Sequence, residues 1–263
     1  MKCDVHMHMI LDGQDWRAAI GRHSNQPDEA FIHAVLGRYR DTGYTYLRDG
    51  GDRWGAGKRA RELAGDYGIT YRTPLANLCK RGHYGAFIGK TYENFREYAD
   101  LVRQTRAQGG DFIKIMISGL MDFDRFGVLT EAGLPADEIR ELVHIAHEEG
   151  FAVMAHANGA RTVEAAATAG WTAWSTGRTW TAMPWQLWRK TALFGCLPSP
   201  RLEICGARAA LRKMRWPGFL KALRRISGAL RKWGACWAAA AMPAPGLCPM
   251  AAARRSGCCR KFW

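Results

Sequence analysis

The sequence predicts an α/β fold for residues 1–170, with parallel strands inside and helices outside. Three observations predict it. Short apolar runs rich in β-formers alternate with longer amphipathic segments, several of the helical segments close on a glycine, and polar residues gather at the C-terminal ends of the strand segments. Repeated βα units of this kind leave two architectures, a (β/α)8 barrel and a doubly wound sheet. No GxGxxG opens a helix after the first strand, so a dinucleotide-binding sheet lacks its usual mark.

Taken in order, "KCDVHMHMI" (2–10) is a strand, and "DEAFIHAVLGRYRDTG" (28–43) is a helix that ends at Gly43. Strand "YTYLRDGG" (44–51) and helix "GKRARELAGDYG" (57–68) repeat the unit. A third strand, "ITYRTPLAN" (69–77), leads through a loop around "RGHYGAFIG" to helix "TYENFREYADLVRQTRAQGG" (91–110). Strand "DFIKIMISG" (111–119), loop "LMDFDRFGVLTEAG" and helix "LPADEIRELVHIAHEEG" (134–150) form the fourth unit. Strand "FAVMAHANG" (151–159) and helix "ARTVEAAATAG" (160–170) form the fifth.

In both architectures chemistry is placed at the strand C-termini, and His6, His8, Asp49, Lys114, His156 and Asn158 stand there. His6 and His8 lie two apart on a strand, so both imidazoles face one side. They form either a hydrogen-bonded structural pair or two ligands for one metal ion. Lys114 lies within the apolar "FIKIMI". A buried unpaired ammonium is costly, so such a lysine is paired with a carboxylate, deprotonated or modified. Reaction with CO2 would turn it into a carbamate, whose two anionic oxygens two metal ions can share. His156, in "VMAHANG", would then add a third imidazole from the next strand.

Together, "DVHMH", "IKIM" and "AHANG" resemble the amidohydrolase superfamily, and within it the imidazolonepropionase- and prolidase-like branch. The resemblance covers residues 1–170. It implies a (β/α)8 TIM-type barrel, incomplete here at about five βα units, and a metal-dependent hydrolase acting on non-peptide C–N bonds, amide or cyclic amide. It implies His6 and His8 on a first divalent metal, zinc by preference, and Lys114 as a carboxylated bridge to a second. His156 would be a ligand of that second ion, followed by a histidine on strand 6 and an aspartate on strand 8. The metals supply hydroxide near neutral pH and polarise the scissile carbonyl. Loops at His23–Gln26, Arg81–Gly85 and Leu120–Gly127 would form much of the pocket for a small-molecule substrate. His83 and Tyr84 are candidate substrate contacts, with a solvated loop as the alternative for both.

After Gly170 the composition changes. Of the 38 Lys and Arg, 17 lie there beside a single acid, Glu203, so the formal net charge of +14 divides into +16 after Gly170 and −2 before it. Nine of the 11 tryptophans and six of the eight cysteines lie there too. No histidine follows His156 and no aspartate follows Asp137. "WTAWSTGRTW" shows neither strand periodicity nor the histidine that the resemblance implies.

The codons offer an account. Trp is always TGG and Thr always begins AC, so Trp171–Thr172 read one phase later gives GAC, an aspartate. Continued through Thr176–Gly177, the same phase allows V-D-S-V-E-H-G, a strand with its histidine at Thr176. Further on, "LWRKTALFGC" allows L-A-E-N-G-T-V-W-V, a helix end, a glycine and a seventh strand. This predicts a single-base frameshift near Gly170, with residues 171–263 out of frame and poorly ordered, and hydrolase activity lost with the later ligands. An unclosed barrel also leaves an exposed sheet edge and so predicts poor solubility.

The alternative takes the tail at face value. "RKMRWPGFLKALRRISGALRKW" (212–233) is basic with interleaved aromatics, the composition of a nucleic-acid-binding or membrane-surface segment. It would ride on a non-catalytic barrel remnant. "CC" at 258–259 lacks the paired spacing of a zinc site. No apolar run is long enough to span a bilayer and the N-terminus lacks a signal-peptide pattern, so a cytoplasmic location with reduced thiols is expected.

Overall fold

A computed structural model describes residues 2–122, 124–125 and 128–170, together with the backbone of 173–176 and 194–195. The frameshifted or basic tail, including 212–233 and the cysteines at 258–259, otherwise lies outside the described residues. So does part of the predicted loop 120–127.

The strands are β1 (Lys2–Met7), β2 (Tyr44–Asp49), β3 (Thr70–Arg72), β4 (Asn77–Lys80), β5 (Lys90–Tyr92), β6 (Ile113–Met116), β7 (Val153–His156), β8 (Ala173–Thr176) and β9 (Phe194–Gly195). The α-helices are α1 (Trp16–Arg22), α2 (Glu29–Asp41), α3 (Ala56–Leu63), α4 (Phe95–Ala107), α5 (Ala136–Glu148) and α6 (Ala160–Thr168). One sheet runs β1-β2-β3 and the other β5-β4-β6-β7-β8-β9, and every strand pairing in both is parallel. All five predicted βα units are present. The architecture is an incomplete (β/α) barrel.

The predicted strand 69–77 divides. Thr70–Arg72 pairs with β2, and the chain rejoins the second sheet only at Asn77. Between them Pro74 offers no N–H, and Leu75 takes a left-handed φ of 65°, which a residue with a Cβ adopts only when its surroundings hold it there. Its N–H donates to Thr73 Oγ1 at 3.1 Å, and its carbonyl accepts from Asp52 N–H at 3.1 Å. A buried polar network therefore sets the switch between sheets.

Two other boundaries differ from expectation. The helix expected from Thr91 starts at Phe95, because Asn94 Oδ1 accepts from Glu97 N–H at 3.0 Å and Glu97 Oε2 accepts from Glu93 N–H at 2.9 Å. This reciprocal cap releases Lys90–Tyr92 to pair with β4. Helix α1 was not expected from the sequence. Asp15 caps it, accepting from Arg17 N–H at 2.9 Å and Ala18 N–H at 3.3 Å.

The core lies on both sides of that switch. Helix α5 buries Ile139, Leu142, Val143 and Ala146 at i, i+3, i+4, i+7 spacing against Ile113, Ile115 and Val153 of the sheet. Each such aliphatic side chain contributes roughly 1.5–3 kcal/mol of burial. A second cluster gathers Ile32, Val35 and Leu36 of α2 with Met7, Leu47 and Tyr71. Strands β6 and β7 are buried at every position, as a parallel sheet covered on both faces requires.

Residues 173–176 form a strand in the frame as written, although their sequence carries no strand periodicity. β8 pairs with β7 at Met154–Ala173, Ala155–Trp174 and His156–Thr176. β9 continues the sheet from β8. Ladder hydrogen bonds from β7 and the strand propensity of Trp and Thr are the physical reason.

Candidate functional site

His6 lies in β1 and His8 just beyond its end. Their rings meet edge to face with centroids 5.3 Å apart. Both are buried, as are Lys114 and His156. His8 Nδ1 lies 3.3 Å from the Gly51 carbonyl, which can only accept; the proton is therefore on Nδ1 and the lone pair on Nε2. His156 Nε2 lies 3.3 Å from the Gly119 carbonyl and 3.1 Å from the Asn158 side-chain amide nitrogen, an acceptor and a donor at the same ring nitrogen. Asn158, two residues on, also donates to Gly119 O, at 2.9 Å, while its own N–H donates to Ser118 Oγ at 2.7 Å. These carbonyls orient the two rings in the way outer partners orient metal-ligating imidazoles.

The electrostatics bring the set together. Burial holds the His6 imidazole well below the ordinary histidine range, and the charges of Lys114, His8 and His156 press it further. Burial and then Lys114 lower His8 to about 4, against the opposing Gly51 hydrogen bond. Burial and then Lys114 lower His156 to about 3. All three imidazoles are thus neutral at pH 7 and in electrostatic reach of one lysine. Neutral imidazoles are the form that binds metal.

Lys114 is 0% exposed and stands second in β6, below the strand end where the sequence put it. Its Cα partner on β7 is Met154, two residues before His156. Two residues of strand rise about 6.6 Å, a span an extended lysine side chain can cover. Among the described residues no group of three or more His, Cys, Asp and Glu is placed to hold an ion as it stands. The arrangement is a His6–His8 pair and a separate His156, with Lys114 in electrostatic contact with each. A carbamate on Lys114 would supply oxygen donors to such a set; an ammonium would repel cations.

Small residues make room. A Cβ on Gly50 would lie 2.8 Å from His8 Nδ1 and nearer still to Cε1 and Nε2 of that ring. A Cβ on Gly57 would meet Asp49, 3.0 Å from its carboxyl carbon. Asp49 ends β2 and accepts from Thr73 Oγ1 at 2.9 Å and from Met9 N–H at 3.2 Å. It supports the loop beyond His8.

His83 and Tyr84 are brought to this edge, and both are held by Glu131, which sequence reasoning missed. His83 Nδ1 pairs with Glu131 Oε1, and Tyr84 N–H donates to Glu131 Oε2 at 2.8 Å. The loops at 81–85 and 119–131 are so joined. No pattern in "VLTEAG" marks Glu131, because its partners are 47 and 48 residues away. The Tyr84 ring lies 4.9 Å from that of His156. In the other predicted loop, His23 is buried and its Nδ1 accepts from Asp28 N–H at 3.0 Å, an internal contact.

No family model matches the chain, and no curated protein matches it. Solved structures do. An ochratoxinase of A. niger aligns at 20% identity with a TM-score of 0.58, covering 74% of this chain and 51% of that one. A Xaa-Pro dipeptidase with methionine bound in its active site aligns at 18% and 0.54, covering 74% and 52%. A prolidase complexed with N-methylphosphonate-L-proline aligns at 18% and 0.53, covering 75% and 52%. The chain spans about half the length of the solved structures it matches. The class defined here is that of the fold: the described residues have the barrel fold of amidohydrolase-type proteins. No helix among the described residues is long and apolar enough to cross a membrane.

Proposed function

We propose that the chain derives from the amidohydrolase superfamily and carries part of a metal-dependent hydrolase site for non-peptide C–N bonds. The observation that carries this reading is the convergence of three buried, neutral imidazoles from β1 and β7 on a fully buried lysine of β6. His6 and His8 would hold one divalent ion, zinc by preference; Lys114, as a carbamate, and His156 would hold a second. Bound there, the metals would supply hydroxide near neutral pH and polarise the scissile carbonyl. The chain's own part is to keep the imidazoles deprotonated by burial, to fix the ligating nitrogen of His8 through Gly51 O, to hold the His156 ring against Gly119 O and Asn158, and to shape the entrance with Tyr84. A small-molecule amide or dipeptide is the substrate class this arrangement suits.

The same reading holds that the strand-6 ligand is missing. Thr176 occupies the position in register with His156. We attribute its presence to a frameshift near Gly170, and accordingly propose little or no hydrolase activity for the chain as written. Sequencing the coding DNA from about codon 160 to codon 200 tests the attribution. A missing or extra base near codon 170 supports it. An intact frame removes it and makes the tail a genuine basic segment.

A further inference from the structure

The metal-ligand candidates do not use the row of aromatic rings that leads away from them. Tyr84 lies 4.9 Å from His156. Phe87 follows, 5.7 Å from Tyr84, and Trp16 of α1 lies 5.2 Å beyond Phe87, packed edge to face at 67°. Two chain segments far apart in sequence, α1 and the loop that carries Tyr84 and Phe87, therefore build one continuous row of rings from the candidate site to the surface.

The ends of this wall differ. Phe87 packs against the buried cluster around β1 and α2, so its position is fixed. Tyr84 is half-buried, and its backbone is tied through Glu131 to the 119–131 loop. Trp16 is 43% exposed, although its ring is among the largest apolar groups in the chain. The Arg17 guanidinium stacks 4.3 Å from the Trp16 ring centroid, which steadies the indole without covering it. A large aromatic held in place yet open to water, beside further rings, is the anatomy of a contact surface for an apolar ligand group.

We infer that Trp16, Phe87 and Tyr84 form a subsite for an aromatic or bulky apolar side group, so that the amides this site accepts carry such a group next to the C–N bond. The word "amide" rests on the hydrolase reading above; the aromatic preference rests on the ring geometry alone. Recognition is by ring stacking and edge contacts. An aliphatic methyl in the same place forfeits most of that contact.

The test is direct binding of two probes, N-acetyl-L-phenylalaninamide and N-acetyl-L-alaninamide. The full chain is used, produced with a solubility partner, and titrated by ligand-observed NMR with and without added zinc. The phenylalanine probe is expected to bind about tenfold more tightly. Trp16→Ala, a surface change, should remove most of that advantage, and Tyr84→Phe should preserve it. Equal affinity for the two probes overturns the inference, as does an advantage untouched by Trp16→Ala. If the preference stands but the protein takes up no zinc, the hydrolase reading fails and the aromatic subsite survives. If zinc is retained and the preference is absent, only the subsite falls.

Discussion

His156, the last residue of β7, faces Thr176, the last residue of β8, as a Cα partner across the parallel ladder. Two adjacent parallel strands thus end level, one on a buried imidazole and the other on a residue with no metal-binding nitrogen. In a barrel, neighbouring strand ends are where shared ligands are drawn from. Replacing Thr176 by His should therefore raise zinc uptake, from about one ion per chain toward about two, with Thr176→Ala as the control. Metal analysis after gel filtration reads the difference. Equal content in the two variants would mean that position 176 is not a ligand position.

Lys114 distinguishes a metal bridge from a structural ammonium. Lys114→Met keeps length and most of the volume while removing the nitrogen. If the lysine is carboxylated, protein exposed to 13C-bicarbonate and zinc should show a carbamate carbon signal that the variant lacks, and in the Thr176→His background Lys114→Met should abolish uptake of the second ion. If Lys114 is only structural, the variant should match the parent in metal content and show no spectral change.

Gly50 is needed for the space occupied by the His8 ring, not for an unusual backbone conformation. Gly50→Ala should cost about 1–3 kcal/mol through overpacking and lower metal affinity by displacing His8. A Cβ on Gly21 in α1 would have nothing within 4 Å of it, so Gly21→Ala should be neutral or stabilise by up to about 1 kcal/mol. Thermal melts of the two variants provide the comparison. Equal shifts would argue against the steric account.

That His6, His8, Lys114 and His156 stand on or beside strands was legible in the sequence, because each interrupts an apolar run with a polar group; all four are buried there. The five βα units were legible from period and glycine stops. The division of strand 69–77 was not, since it depends on Leu75 being held left-handed by Thr73 and Asp52, contacts that appear only once the chain is folded. Glu131 was not, because its role depends on a loop some 47 residues away. Helix α1 was not legible although Asp15 is a regular N-cap, because its seven residues are too few to show apolar periodicity.

Stability should depend on pH through Asp49. Burial, and secondarily the Asp52 carboxylate, raise Asp49 from 3.8 to about 7, against hydrogen bonds from Met9, Thr73 and Gly51. Asp52 is itself raised, and the buried Tyr71 hydroxyl feels both carboxyls. The folded state therefore holds a proton on Asp49 that the unfolded chain releases near pH 4. The contribution of Asp49 to stability is greatest below that value and falls as pH rises toward about 7, by at most about 1.4 kcal/mol per pH unit, while the buried imidazoles of His8 and His156 contribute a slope of the opposite sign below about 6.5. Asp49→Asn should remove this contribution and so change the pH slope of the urea-denaturation midpoints across the window, toward stability that rises with pH. A variant with the parent's pH slope would show that Asp49 does not titrate there.

Metal binding by His6 of β1 and His8 just beyond it is what the proposed function requires first. The most direct measurement is the zinc content of the full chain and its His6→Ala variant, both loaded with zinc and then dialysed against a weak chelator. The account predicts about one retained ion in the parent, and a loss of retention by about 10-fold or more in the variant. Equal zinc in the two proteins, or none in either, would contradict it and leave His6 and His8 as a packed structural pair.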